Sequence, residues 1–314
     1  MSSNKKQIHA VAGSSGAMGS AVVKELQKRG EIVKTFARKS YGNPDTIILD
    51  PFDQEQLKKE LQNVDNYFLC IGLPYSGKFW LENWPKLIQA TIEACIHTKT
   101  KLIFLDNIYM YGPSPLPIPF DETYSQEVTS LKSKARKIVA DLILDAIAKR
   151  GLKAILARSA SFYGPNVINS SLYTSFIDRM LACKNPQTIF NPNIPITYAF
   201  TDDNAKAMVD LAFHEEAIGQ VFHLPVGEPI TLEEIVKVCN KILNANFKLS
   251  VMPKFLFKIL SMIIPLFKEI KEVVYQYEDP YTMSFDKFKK LFPNFKVTSY
   301  EEGLEKMIES FQKN

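Results

Sequence analysis

Cysteine is scarce in this chain: four residues among 314, at positions 70, 95, 183 and 239, too widely spaced for a metal-binding pair. Each has apolar neighbours, so the four read as reduced core thiols of a cytoplasmic protein, not as a disulfide framework or a zinc site. Histidine is equally sparse, and His9, His97, His214 and His223 fall at no metal-ligand spacing. Packing or surface roles are expected for them. Charge of one sign is concentrated nowhere. The formal net charge is +4, and no lysine or arginine block is dense enough to make nucleic acid the main partner. Lys5 and Lys6 are read as a solvated entry to the first strand. Long hydrophobic runs are missing as well. The first residues lack signal-peptide form. The best apolar run, 251–267, is broken by Pro253, Lys254, Lys258 and Pro265 and is too short and too charged to span a bilayer. No membrane partner is expected, and this run is expected to form a helix lining or covering a pocket. Internal repeats and low-complexity linkers are absent.

What is present is an ordinary globular composition, 46% hydrophobic and 23% charged, in a chain long enough for one large domain or one and a half. Apolar strand-like runs at 8–12, 32–37, 46–49, 66–71, 101–105 and 153–157 alternate with helical patterns near 53–62, 84–98 and 128–149. Gly151 is a natural terminator of the last helix. Continuous apolar strands separated by helices predict an α/β fold, with a parallel sheet covered on both faces and ligands beyond the carboxyl ends of its strands. After residue 164 the prolines 165, 186, 192 and 195 break the pattern, and 220–224 reads as one more strand returning to the sheet. Residues 1–163 with 197–224 are therefore expected to form the nucleotide-binding domain. Residues 164–196 with 225–314 are expected to form a smaller, discontinuous substrate domain.

The run Gly13-Ser14-Ser15-Gly16-Ala17-Met18-Gly19 stands between the first apolar strand and an amphipathic helix. Glycines at that junction let the backbone turn tightly and approach a diphosphate, while the helix start offers free N–H groups and a positive dipole. Gly13, Ser15, Gly16, Ala17, Met18 and Gly19 are thus candidate cofactor-binding residues. At the end of the second strand a carboxylate would favour a free ribose 2′-hydroxyl and a cation a 2′-phosphate. The chain has Arg38 and Lys39 there, and no carboxylate between Glu31 and Asp45. NADP is therefore expected ahead of NAD, with two solvated surface cations as the plainer reading. Asp50 is placed to meet the adenine edge, or else to cap the following turn.

Further segments, in this order, resemble the extended short-chain dehydrogenase/reductase superfamily, and within it the NAD(P)-dependent epimerase/dehydratase family. Residues 105–113 look like the strand-end segment that carries a Ser or Thr and closes in Tyr-Gly, and 157–165 like the segment beside the nicotinamide, ending in Gly-Pro. Residues 198–205 look like the Asp-containing segment before a late helix, and the likeness runs over roughly 7–245. It implies a Rossmann-type doubly wound sheet, a nicotinamide cofactor contacted also by Gly72 and Ser159, and chemistry at a hydroxyl or carbonyl carbon. A sugar-nucleotide substrate is implied only by inheritance. It would need cations for its diphosphate, and Lys254, Lys258, Lys268 and Lys271 are candidates, although their spacing also suits a solvated face.

The departures from that family bear on catalysis. The Tyr-x-x-x-Lys of the superfamily is missing from the long helix. Lys132 and Arg136 could fill its two positions, or, two residues earlier, Ser130 and Lys134. Asn107 stands at the Ser/Thr position and can orient a carbonyl but not transfer a proton. Arg136 could hold a ribose or phosphate, and Lys132 could act as acid or base if desolvation beside Arg136 lowered its pKa. The plainer reading of 132–137 is a cationic, solvated helix face. Tyr109, with a cation nearby, is a substitute proton donor. Tyr75, Tyr111 and Tyr163 would shape an aromatic cleft for the substrate. Trp80 and Trp84 would join its wall, or more simply the core. An enzyme working by hydride transfer is thus expected, and the alternative is a dinucleotide-sensing regulator that lost proton transfer. A homodimer through 84–98 and 128–149 is the expected assembly.

Overall fold

The computed structural model describes residues 6–40, 44–112, 114–189 and 191–312. Lys5 and Pro113, both used in the sequence reading, lie outside them. Alternation of strand and helix runs through the first half: β1 (Ile8–Ala12), α1 (Ala17–Lys28), β2 (Ile32–Ala37), β3 (Ile47–Ile48), α2 (Gln54–Glu60), β4 (Asn66–Leu69), α3 (Gly77–Thr98), β5 (Lys101–Asp106), α4 (Leu131–Arg150) and β6 (Ala154–Arg158). The second half contains β7 (Phe162–Tyr163), α5 (Asp178–Leu181), β8 (Gln187–Thr188), β9 (Ala199–Phe200), α6 (Thr201–Ala212), β10 (Val221–His223) and α7 (Leu232–Leu243). It ends with β11 (Ser250–Val251), α8 (Lys254–Ile263), α9 (Pro265–Lys271), α10 (Asp286–Leu291) and α11 (Tyr300–Gln312).

Seven strands form one sheet in the order β10-β6-β5-β4-β1-β2-β3, and every pairing is parallel. The order reverses between β1 and β4, which opens a crevice at their carboxyl ends. Central strands bury both faces: Ala10, Val11, Tyr67, Phe68, Leu102 and Ile103 are inaccessible to solvent. Helices α3 and α4 cover one face through Trp84, Leu87, Ile88, Val139 and Ile143, while α1 and α6 cover the other through Val22, Leu26, Met208 and Leu211. The helix stops follow local chemistry. Gly151 ends α4 in the left-handed conformation, and Thr231 and Glu234 close a reciprocal capping box on α7.

A separate cluster joins Tyr163, Phe176, Ile196, Tyr198, Ile235, Leu304 and Met307. It mixes the second half of the chain with the edge pair β7–β9. Residues 285–295, grouped with the substrate domain on sequence, pack instead against the main sheet. Phe288 is buried with Phe222 and Leu224, and Lys287 Nζ donates to the Val221 carbonyl at 2.8 Å. The apolar spacing of that short helix could not say which of two cores it joins. Cys70, Cys95 and Cys239 are buried free thiols, whereas Cys183, expected in the core, is exposed on a turn with φ 56°. No helix among the described residues is long and apolar enough to cross a membrane.

Candidate active site

The glycine turn is built so that side chains cannot enter it. Gly13 has φ +77°, and a Cβ there would sit 2.7 Å from the carbonyl oxygen of Cys70, the residue just past β4. A Cβ on Gly19 would collide with the backbone of Gly13. Gly13 N and Ser14 Oγ both donate to the Phe36 carbonyl at 3.1 Å, tying the turn to the end of β2. Gly16 caps α1 without a side-chain hydrogen bond, and Ser15 and Gly16 are exposed. The helix start therefore presents backbone N–H groups to whatever lies above it, and Ala17 and Gly19 contribute backbone only. The Met18 side chain is buried in the core, so only its backbone can face a ligand. The cradle fits a dinucleotide diphosphate. Arg38 and Lys39 are exposed just beyond β2. Asp50 Oδ1 accepts from Phe52 N at 3.0 Å, while Asp53 caps α2, so Asp50 holds the turn and is left exposed. Gly72 follows β4 with open space where a Cβ would stand.

The helix positions that lack the family tyrosine and lysine are not a solvated face. Lys132 is inaccessible and Arg136 is 2% exposed, while Lys134 points to solvent and Ser130 serves as the amino cap of α4. This corrects both the solvated-face reading and the Ser130/Lys134 register. Nor does Lys132 stand unpaired beside Arg136. The Lys132 ammonium is ion-paired with Glu269 of α9, donates to the Glu269 carbonyl at 2.9 Å, and lies 4.3 Å from the centre of the Tyr75 ring. Glu269 also accepts from Gly77 N at 2.8 Å, and Glu272 accepts from Lys132 N at 3.0 Å. Two carboxylates from α9 and its end thus hold the amino ends of α3 and α4. Burial pushes the Glu269 carboxyl up, but the hydrogen bonds from Lys132 and Gly77 outweigh it and hold it below the usual carboxylate range.

Arg136 turns to the sheet. Its guanidinium is ion-paired with Asp106 at the end of β5, with Nε at 3.0 Å from Oδ1, and is covered by Trp84 at 4.5 Å. The other Asp106 oxygen takes Arg158 Nε at 3.1 Å, and Arg158 Nη1 donates to the Tyr111 hydroxyl at 2.6 Å. Tyr111 in turn meets His223 Nε2 at 2.7 Å, and His223 Nδ1 faces the Ser284 carbonyl at 2.8 Å. Nδ1 must carry the proton, so the Tyr111 hydroxyl donates to Nε2. Sequence reasoning missed Asp106, Arg158, His223, Glu269 and Glu272 as members of the site. A charged residue ending each of two buried strands was the available signal.

Burial, aided by the nearby Arg158, lowers His223 to about 3. The unfolded imidazole takes a proton below about 6.5 that the folded one refuses, so stability is complete above that pH and declines as the pH falls toward 3. From pH 7 to pH 5 the expected loss is about 2 kcal/mol through this residue. Buried His9, also lowered by desolvation, adds in the same direction. Urea unfolding across that range should show a shallower slope in His223→Gln. An unchanged slope would refute the assignment.

Asn107 and Tyr109 stand at the carboxyl end of β5. The Asn107 carboxamide oxygen accepts from Tyr109 N at 3.2 Å. Tyr109 is half-buried, stacks on Trp80 at 6.0 Å, and shares a hydrogen bond with Tyr75. Burial pushes its phenol up to about 12, against the opposing pull of Tyr75 and Arg136. Tyr75, Tyr109, Lys132 and Arg136 thus meet in one place. Tyr111 and Tyr163, expected at the cleft wall, are each 1% exposed. Tyr111 is used by the buried network, and Tyr163 stacks on Tyr300 in the second core. Ser159 is buried as well. Its hydroxyl donates to the Ala160 carbonyl and accepts from Asn204 Nδ2 at 2.7 Å, so only its backbone can face a cofactor.

A model of the NAD dependent epimerase/dehydratase family matches residues 9–224, which include the glycine turn, the α4 pair and every strand of the main sheet after its first residue. The chain belongs to that family. It is 24% identical over 336 aligned positions, 96% of this chain and 90% of the relative, to the sterol-4-alpha-carboxylate 3-dehydrogenase, decarboxylating, of Mus musculus. An uncharacterized protein y4nL of Sinorhizobium fredii is 30% identical over 102 residues, 32% of this chain but only 28% of that protein's length. Among solved structures, UDP-glucuronic acid 4-epimerase from Bacillus cereus, in complex with NAD, superposes with a TM-score of 0.79 at 17% identity, covering 98% of this chain and 99% of that one. That likeness, over nearly the whole of both chains, shows that the two share a fold.

Proposed function

We propose that this family member is a pyridine-nucleotide-dependent oxidoreductase acting at a hydroxyl or carbonyl carbon, with Tyr109 as the proton-bearing group. The observation that carries the reading is the meeting of Tyr75, Tyr109 and Lys132 at the end of β5, where the family tyrosine is missing. A bound nicotinamide would supply or take up the hydride; the glycine turn, Gly72 and Ser159 backbone would hold the dinucleotide. Tyr109, held protonated by burial, is suited to give its proton to an oxygen that gains negative charge. Asn107 Nδ2 can orient that oxygen. The ammonium of Lys132, fixed by Glu269, serves as a stationary positive charge and not as a base. Trp80, Tyr75 and Tyr109 make an aromatic wall that favours an apolar ring substrate, and the sterol named for the mouse relative is of that kind. Lys254, Lys258, Lys268 and Lys271, the candidate cations for a sugar diphosphate, are all exposed on α8 and α9, and a sugar nucleotide is the alternative substrate class.

NADP is the preferred cofactor in this proposal, because Arg38 and Lys39 follow β2 without a carboxylate to favour a free ribose. The capture of Lys132 by Glu269 favours a second reading, a nucleotide-binding regulator without turnover. A homodimer through the outer faces of α3 and α4 belongs to the same proposal and is measured by sedimentation velocity. Fluorescence titration with NADPH and NADH, followed by a carbonyl panel monitored by NADPH loss, tests both readings. NADPH should bind the more tightly, and Arg38→Ala should weaken it about 10- to 100-fold while sparing NADH. Tyr109→Phe should lower kcat by about 100-fold or more with little change in KM. Equal affinity for both nucleotides would remove the NADP assignment, and full turnover in Tyr109→Phe would remove the proton donor. Tight binding with no turnover across the panel would favour the regulator.

A further inference from the structure

The helix pair α8–α9 is inside out relative to a soluble helix pair. Ser261 is its one buried side chain, and Glu269 points inward to Lys132 and Gly77. Outward stand Phe255, Leu256, Ile259, Met262, Ile263, Ile264 and Leu266, with Met262 and Ile263 72% and 73% exposed. No other part of the described surface gathers so many large apolar side chains in one short segment; the remaining exposed ones are scattered singly or in pairs along the chain. A contiguous apolar surface of this kind marks a contact site.

Charge identifies the partner. From 251 to 268 the chain contains three lysines and not one aspartate or glutamate. Lys254, Lys258, Lys268 and Lys271 are exposed around the apolar face. The two acidic residues that follow, Glu269 and Glu272, are both taken up by the amino ends of α3 and α4. The nearest compensating carboxylate is that of Glu278, 3.9 Å from Lys254 Nζ and half-exposed. The outward face therefore presents hydrocarbon ringed by positive charge. A second copy of the chain would bring two such lysine rings together without acids to offset them. An anionic lipid surface offers both complementary features, acyl chains for Phe255, Ile259, Met262 and Ile263 and headgroup phosphates for the lysines. Helix α8 has 10 residues, about 15 Å of length against a hydrocarbon core of about 30 Å, so it can lie in the interface but not span it.

We propose that α8 and α9 form an interfacial anchor that seats the protein on membranes bearing anionic lipids. No membrane partner is expected from the sequence because 251–267 is too short and too charged to span. Hydropathy of 251–267 could not say that the apolar side faces outward. The anchor is bolted to the cleft, since Glu269 and Glu272 hold the helix starts that carry Gly77 and Lys132.

Flotation of the full-length protein with phosphatidylcholine vesicles, with and without phosphatidylglycerol, tests the anchor. Binding is expected only to the phosphatidylglycerol vesicles and should weaken as salt is raised. Met262→Asp with Ile263→Asp should lower partitioning at least about tenfold, since each charge replaces inserted hydrocarbon. Lys258→Gln and Lys268→Gln should lower it about fivefold per lysine. All four positions are exposed, so unchanged thermal unfolding is expected and serves as the control. Absence of binding at low salt, equal binding to pure phosphatidylcholine, or full binding by the aspartate variant would overturn the proposal. So would a dimer in sedimentation velocity that the aspartate variant splits into monomers, because the face would then belong to a second copy.

Discussion

Asp106→Asn should destabilise the protein by about 3–5 kcal/mol, and Asp106→Ala by more. One carboxylate, 2% exposed, serves two guanidiniums: Oδ1 receives Arg136, Oδ2 receives Arg158, and Oδ1 also takes Asn107 N at 2.8 Å. Removing its charge leaves two buried cations without a counter-ion, at a site where water cannot replace the lost contact. Asparagine retains the shape and some hydrogen bonds, and alanine retains neither. A domain is stable by only about 5–15 kcal/mol, so the alanine variant is expected to be marginal or unfolded at room temperature. Asp106→Asn combined with Arg136→Met should then be less damaged than the two single effects summed, because the second change removes one orphaned charge. Urea midpoints for the four proteins of that cycle give the answer. A loss below about 1 kcal/mol in Asp106→Asn would mean that the two arginines reach solvent or another anion.

Gly19→Ala should abolish measurable dinucleotide binding, with at least a 100-fold loss of affinity, of the order that misplacing groups by about an ångström produces. In an ordinary helix interior this change would stabilise by roughly 1 kcal/mol. Here Gly19 lies in α1 directly under the turn, and its Cβ would enter the backbone of Gly13. Both partners are main chain, so no side chain can swing away. The turn must open, breaking the 2.9 Å bond from Gly16 N to the Gly13 carbonyl, and the N–H groups of Ala17 and Met18 lose their common aim. Gly13 cannot move toward β4 in compensation, because Cys70 already closes that side. NADPH fluorescence titration with circular dichroism as the control separates lost binding from lost fold. Near-native affinity in a folded Gly19→Ala would show that the diphosphate binds elsewhere, and the proton-transfer scheme at Tyr109 would lose its basis.

The parts of the fold that were legible in the sequence are those written in local pattern. Apolar runs at 8–12, 66–71 and 101–105 are too continuous for one-sided strands, so a parallel sheet buried on both faces followed directly. The glycine turn was legible for the same reason: strand, turn and helix start are neighbours in the chain. The helix α4 was expected at 128–149 and begins at Leu131, because Ser130 takes the cap.

The chemistry at Lys132 was not legible. Its partners, Glu269 and Tyr75, lie 137 and 57 residues away in the chain, and spacing alone allowed a solvated face, a shifted pair or a free base. Tyr111 and Tyr163 carried the right residue type at the right strand ends, yet both side chains turned inward, one to Arg158 and His223 and the other to Tyr300. Residue type and position are properties of the sequence, whereas direction is set by which neighbour fills the adjacent space.

The amino-acid order by itself determined the sheet, its crevice and the glycine turn, since each depends on contacts within a few residues or on a repeated period. Only the tertiary structure decided that Asp106 neutralises two arginines, that Lys132 is held by a carboxylate from α9, and that the apolar side of α8 looks outward. These depend on residues 30, 52 and 137 positions apart meeting in space, or on one face of a helix finding no cover. No local preference encodes either event.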